Sequence, residues 1–237
     1  MRLPLNSDCR RTDLDPAAVW RLPVLAGVIA TLLCGAPSRS RTAEPAAGGA
    51  AAGAAWRSLF DGRTLGDWKP TPFGGGGEIA VADGAIRIPM GADLSGLTWS
   101  GDHPRQGYEL ALQARRVDGS DFFCGLTFPV GDECCSLIVG GWGGGLVGLS
   151  SIDGQDAANN DTTKLMSFEN GRWYGVRVRV TTERIQCFLD GEQVVDQPLA
   201  DRIVSVRDEV LPSRPLGIAT FATTAEVRDI RWRPVAE

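Results

Sequence analysis

Gly119-Ser-Asp-Phe-Phe-Cys-Gly-Leu-Thr-Phe-Pro-Val-Gly-Asp-Glu-Cys-Cys-Ser-Leu-Ile-Val-Gly-Gly-Trp-Gly-Gly-Gly-Leu-Val-Gly-Leu-Ser-Ser-Ile-Asp-Gly154 is the stretch on which the reading of this chain turns. It divides into three short apolar runs, Phe122–Phe128, Cys135–Val139 and Leu146–Ile152, separated by acidic or glycine-rich turns. Runs of that length, bounded by turn residues, predict β-strands in succession. The glycines open backbone dihedrals closed to other residues and leave room for a ligand or a neighbouring strand to come close. Trp142 stands alone among them, and a flat ring on bare backbone can stack on a sugar.

The same pattern continues on both sides. Glu78–Ala82 and Ala85–Pro89 alternate and meet at Asp83-Gly84, a hairpin signal because both residues tolerate positive φ. Gly107–Val117 sets Tyr108, Leu110, Leu112 and Ala114 on one side, with Glu109, Gln113 and Arg115 on the other. Trp173–Thr181 sets Tyr174, Val176, Val178 and Val180 against Trp173, Gly175, Arg177 and Arg179. Arg184–Leu189 and Gln193–Val195 form a hairpin at Asp190-Gly191, and Leu216–Phe221 and Glu226–Trp232 follow. Many short strands with Asp-Gly turns predict an all-β, two-sheet antiparallel jelly-roll sandwich of the concanavalin A-like kind.

Composition excludes several classes. The net charge of −5 is mild, and no run of basic residues interleaved with aromatics points to nucleic acid. Gly143-x-Gly145-x-x-Gly148 matches a dinucleotide fingerprint only formally, because it leads into a strand with no βαβ unit around it. Residues 1–36 have the anatomy of a signal peptide: Arg10, Arg11 and Arg21, then the apolar run Leu22–Leu33, then Cys34-Gly35-Ala36. A retained anchor is the alternative, and either predicts an exported domain, periplasmic or extracellular. Residues 37–55 read as an Ala/Gly/Pro-rich linker, so the folded domain is expected over 56–237. Export would permit one or two disulfides among Cys124, Cys134, Cys135 and Cys187. Burial as small core residues is the other reading of these four. Zinc is disfavoured, since no Cys-x-x-Cys pair exists and His103 is the only histidine.

Leu59, Phe60, Asp61, Gly62, Leu65 and Trp68 resemble, position for position, the Leu-Phe-Asn/Asp-Gly-x-x-Leu-x-x-Trp opening of the 3-keto-disaccharide hydrolase domain family. The resemblance runs from Trp56 to the C-terminus. It implies a jelly roll acting on the glycosidic bonds of 3-keto sugars, where elimination and hydration need a base, an acid and a group polarising the ketone. Members carry an Asn-Ser-Gly-Ile-x-x-Arg strand and then a Tyr/Phe-Glu-x-Gln strand. Here Phe128 or Pro129 stands near the arginine's place, and Cys135 or Ser136 replaces the glutamate.

Chemistry must therefore come from other residues. Asp121, opening the first strand, and His103, beside Asp102, are the catalytic candidates. Trp142, Arg105, Asp132 and Glu133 are the substrate-binding candidates. The polar loop after Ile152 offers Asp153, Asp156 and Asp161, with Asn159 and Asn160, as oxygen ligands for Ca2+, although the spacing fits no EF-hand. Each has a structural counter-reading: turn residues for the acids, a surface residue for His103 and core packing for Trp142. The function expected is an exported hydrolase cleaving glycosidic bonds. The alternative is a non-catalytic carbohydrate-binding or cell-surface interaction module of the same fold.

Overall fold

Alternation of one apolar and one polar residue leaves each strand with a face that must be buried, and two such sheets bury one another. The computed structural model describes residues 54–235 and shows this arrangement. The leader read over 1–36 and all but the last two residues of the linker read over 37–55 lie outside the described residues.

Fifteen strands follow in order: β1 Arg57–Ser58, β2 Trp68–Pro70, β3 Ala80–Ala82, β4 Ala85–Ile88, β5 Leu94–Trp99, β6 Tyr108–Gly119, β7 Cys124–Val130, β8 Glu133–Gly141, β9 Leu146–Ser150, β10 Lys164–Leu165, β11 Tyr174–Val180, β12 Arg184–Leu189, β13 Glu192–Pro198, β14 Gly217–Phe221 and β15 Thr223–Pro234. A short 3-10 helix, Asp208–Ser213, precedes β14. Sheet A runs β13-β12-β11-β6-β15-β4-β3, with β1 also paired to β15. Sheet B runs β10-β9-β8-β7-β14-β5-β2. The jelly-roll sandwich expected from the pattern is the fold observed.

One hydrophobic core joins the sheets. Ile86, Leu110 and Val178 from sheet A meet Leu97, Leu126 and Leu137 from sheet B. Tyr108 ties the layers by donating its hydroxyl to the Pro129 carbonyl at 2.6 Å. The Asp83-Gly84 and Asp190-Gly191 turns take positive φ at both residues, 51° and 75° in the first and 49° and 88° in the second. That is the handedness a two-residue hairpin needs.

The family signature belongs to this core. Trp68 is fully buried, packs tilted against Trp99 with ring centres 5.2 Å apart and donates its indole N–H to the Leu59 carbonyl. Asp61 accepts the backbone amides of Arg63 and Thr64, both at 2.8 Å, and closes the turn beside it. Those bonds hold its carboxyl below the ordinary range. The apolar residues of the signature, Leu59, Phe60 and Trp68, thus join the core between the sheets.

Strand boundaries in the central stretch differ from the sequence reading by a residue or two. The first strand of the central stretch begins at Cys124 instead of Phe122, because Phe122 swings outward to lie over Gly125 and stack on Phe221 at 6.0 Å. The third ends at Ser150. Cys124, Cys134, Cys135 and Cys187 are free and buried, and burial pushes the Cys124 and Cys135 thiols up to about 12.

Candidate functional site

The site is built on the outer face of sheet B. Register sets Thr127, Ser136 and Ser150 side by side on β7, β8 and β9, with Gly217 of β14 and Thr98 of β5 continuing the row. The next row is Gly96, Ala219, Gly125, Ile138 and Gly148. A sheet face made of such small residues is a floor without furniture, and loops can rise around it. The result is a trough of about 630 Å³, within the range of small-molecule sites.

Phe73 and Leu94 line it at the β5 edge, and Arg207, Glu209 and Val210 at another. Phe122, Phe221 and Trp142 supply the aromatic surface. On the floor, the Ser136 hydroxyl is shared with Thr127 at 2.8 Å, while the Ser150 hydroxyl has no partner among the described residues. Of the two residues standing where the family pattern has glutamate, Ser136 faces the trough and Cys135 the core.

The glycine run is explained by the protein itself. Arg116, at the end of β6, threads under it and donates to the carbonyls of Asp121, Gly140 and Gly144. A Cβ on Gly140 would stand 2.7 Å from that guanidinium, and one on Gly144 would stand 2.9 Å from the Ser120 carbonyl. Only glycine fits at either place. Above this support the chain lifts Trp142 into a left-handed conformation, φ 49°, with 45% of its surface exposed. Asp121 fixes the loop: one carboxylate oxygen accepts the Phe122 amide at 2.7 Å and the other accepts the Gly143 amide at 2.9 Å. Asp121 lines the trough, and its carboxylate is occupied in holding Trp142 in place.

The other predicted residues lie elsewhere. Arg105 pairs with Asp132 at 2.6 Å on the exposed β7–β8 turn, next to Glu133. That turn and Trp142 flank opposite ends of β8, roughly 26 Å apart by strand rise. Glu133 opens β8, and His103 sits in the loop before β6 with its ring 3.4 Å from the Gly101 carbonyl. None of these four lines the trough. Asp153 and Asp156 are drawn apart by different arginines, Arg202 at 2.6 Å and Arg207 at 3.1 Å. Asp161 borders a smaller hollow with Lys164 and Asp196. Among the described residues no three His, Cys, Asp or Glu side chains converge as a metal site needs, and the carboxylates of Asp153 and Asp156 are engaged by arginines.

The chemistry available in the trough is mostly recognition. Glu209 accepts Arg207 Nη2 at 2.9 Å and Nε at 3.3 Å, which holds its carboxyl below the ordinary range. A carboxylate held low is a weak proton carrier at neutral pH. Asp93 differs: it lines the trough, is exposed, and its carboxylate makes no hydrogen bond or ion pair with a described residue. Phe122, Phe221, Ser136, Ser150 and Asp93 escaped the sequence reading. Their signal was the smallness of outward positions such as Gly125, Gly148 and Gly217, which alternate with large inward ones.

Solved structures share the two-sheet sandwich fold. The carbohydrate-binding module CBM66 from Bacillus subtilis is 15% identical, with a TM-score of 0.50 over 70% of this chain and 95% of that one. Domain 4 of AbnA, an extracellular arabinanase from Geobacillus stearothermophilus solved with arabinotriose, is 15% identical, with a TM-score of 0.50 over 77% and 92%. The Crh5 transglycosylase, solved with NAG, is 12% identical, with a TM-score of 0.53 over 79% and 86%. No curated protein sequence matches the chain. Residues 55–233 match the model of the 3-keto-alpha-glucoside-1,2-lyase-like domain, and the chain belongs to that family.

Proposed function

We propose that this domain binds carbohydrate, with a saccharide lying in the trough of sheet B against Trp142, Phe122 and Phe221 and its hydroxyls toward Ser136 and Ser150. One observation carries the reading: aromatic surfaces stand around a floor of small polar residues, the combination that suits a ring with one apolar face and a hydroxylated rim. Family membership supports a sugar ligand, as do the saccharides bound in two structural neighbours. The test is calorimetric titration of the purified protein with a panel of glucosides and 3-keto-glucosides. Saturable binding is expected. A folded protein that binds none of them overturns the reading.

Cleavage of a 3-keto glycosidic bond is the second reading, and Asp93 is the observation that favours it. Its carboxylate, without a partner among the described residues, lies beside the trough where the elimination needs a base. Depletion of a 3-keto-glucoside by the wild type and not by Asp93→Asn would establish it. Binding without depletion leaves the domain a binding module. The leader anatomy of residues 1–36 adds the proposal that the domain works in the periplasm or outside the cell, which fractionation of expressing cells tests.

A further inference from the structure

The outer face of sheet A gathers arginines that are scattered along the sequence. Glu109 of β6 accepts Arg177 at 2.7 Å through one carboxylate oxygen and Arg233 at 2.6 Å through the other. Glu226 of β15 likewise accepts Arg87 at 2.9 Å and Arg115 at 2.6 Å. Each of these carboxylates therefore serves two guanidiniums, so half of that positive charge is uncompensated. Arg228 and Arg231 add to the excess. Arg228 donates to the neutral Gln113, its nearest carboxylate being Asp229 at 4.0 Å. Arg231 is exposed and lies 5.0 Å from the Trp56 ring centre. A chain of net charge −5 thus carries one cationic sheet face.

The guanidiniums are also held in place. Trp173 carries those of Arg115 and Arg228 at 4.6 and 4.0 Å, and Trp56 carries those of Arg231 and Arg233. Stacking orders a planar fork before a ligand arrives, and its N–H edges match a carboxylate or sulfate with two hydrogen bonds. We infer that this face binds an acidic polysaccharide, its uronate or sulfate groups paired with Arg228, Arg231 and their neighbours. The trough lies on the other sheet, and this inference does not rest on what the trough binds.

A membrane surface fits less well. The large exposed apolar side chains among the described residues, such as Leu165, Phe221 and Trp142, lie off the strands of sheet A, so nothing on this face would enter lipid. Nucleic acid fits less well too, because Trp56 and Trp173 already carry two guanidiniums each instead of offering bare rings to bases.

The experiment is retention of the purified protein on immobilised polygalacturonate at low ionic strength, with neutral dextran as control and salt as eluant. Wild type is expected to be retained on the polyuronate alone and released by salt. Arg228→Gln with Arg231→Gln is expected to weaken binding about tenfold. The double variant leaves both glutamate-centred pairs intact, and Arg231→Gln alone, at an exposed position, serves if it fails to fold. No retention of wild type, equal retention of the folded variants, or stronger binding to phosphatidylglycerol vesicles or to DNA than to polyuronate overturns the inference.

Discussion

The two sheets turn the same kind of face inward and opposite kinds outward. Sheet A covers itself with long charged side chains that cross-link its strands, Glu109 between Arg177 and Arg233 and Glu226 between Arg87 and Arg115. Sheet B shortens its outward residues to Gly96, Gly125, Gly148, Ser136 and Ser150 and leaves the space to loops and to whatever enters between them. The inward positions make the fold, and many sequences meet that demand. The outward positions distinguish a braced wall from a receptive one.

Adding bulk to each face gives the largest expected contrast. A Cβ on Gly96 would stand 2.5 Å from the Ile218 carbonyl and 3.1 Å from the Phe73 ring. Gly96→Val is therefore expected to destabilise by about 3 kcal/mol. Ala80→Val, at an exposed outward position on β3 of sheet A, is expected to cost under about 1 kcal/mol. Urea midpoints of the two variants measure the difference, and equal losses would erase the distinction between the faces.

Removing the brace of sheet A comes next. Glu109→Gln leaves Arg177 and Arg233 without their carboxylate, and breaking a buried pair from one side costs about 3 kcal/mol or more. Both arginines remain about one-third exposed. Water therefore recovers part of that loss, and about 2 kcal/mol is expected in chemical unfolding. Trp142→Ala acts on sheet B and should spare stability while lowering saccharide affinity roughly tenfold. Titration beside the wild type checks it; unchanged affinity in a folded variant would move the ligand away from that rim.

The smallest effect is one of pH. Burial alone would push the Glu226 carboxyl up, but the hydrogen bonds from Arg115 and Arg87 outweigh it and hold the group below its ordinary 4.5. A carboxyl lowered by folding contributes stability above its ordinary value, and that contribution drains away as pH falls through the folded value. Wild type should lose slightly more stability than Glu226→Gln on going from pH 5 down toward 3, by under about 1 kcal/mol. Parallel curves would show that Glu226 braces nothing.

Much of the fold was legible because alternation is a local signal. β6 and β11 keep an inward row of Tyr108, Leu110 and Leu112 facing Val176 and Val178, and the Asp-Gly turns announce their own geometry. β5, Leu-Ser-Gly-Leu-Thr-Trp, escaped notice because Ser95 points inward and Leu94 outward, reversing the usual pattern. The site was legible only at Trp142 and Asp121. Its floor depends on register between strands distant in sequence, and its walls come from loops with no period at all. In the sequence the glycine run offers space for a ligand or a neighbouring strand, whereas in the structure Arg116 fills much of it. The cationic face was equally hidden: arginines from β4, β6, β11 and β15 become neighbours only once the sheet exists.

Where β15 sits has a consequence for how this molecule is made. Residues 223–234 pair on one side with β6 and on the other with β4, and they also hold β1. Until that segment leaves the ribosome, sheet A is a four-stranded piece of β6 and β11–β13, a lone β3–β4 hairpin and an unpaired β1. The domain thus closes late, by contacts of long sequence separation that make assembly slow. A chain cut before Thr223 would lose its central splice and leave two open edges where partner chains could add.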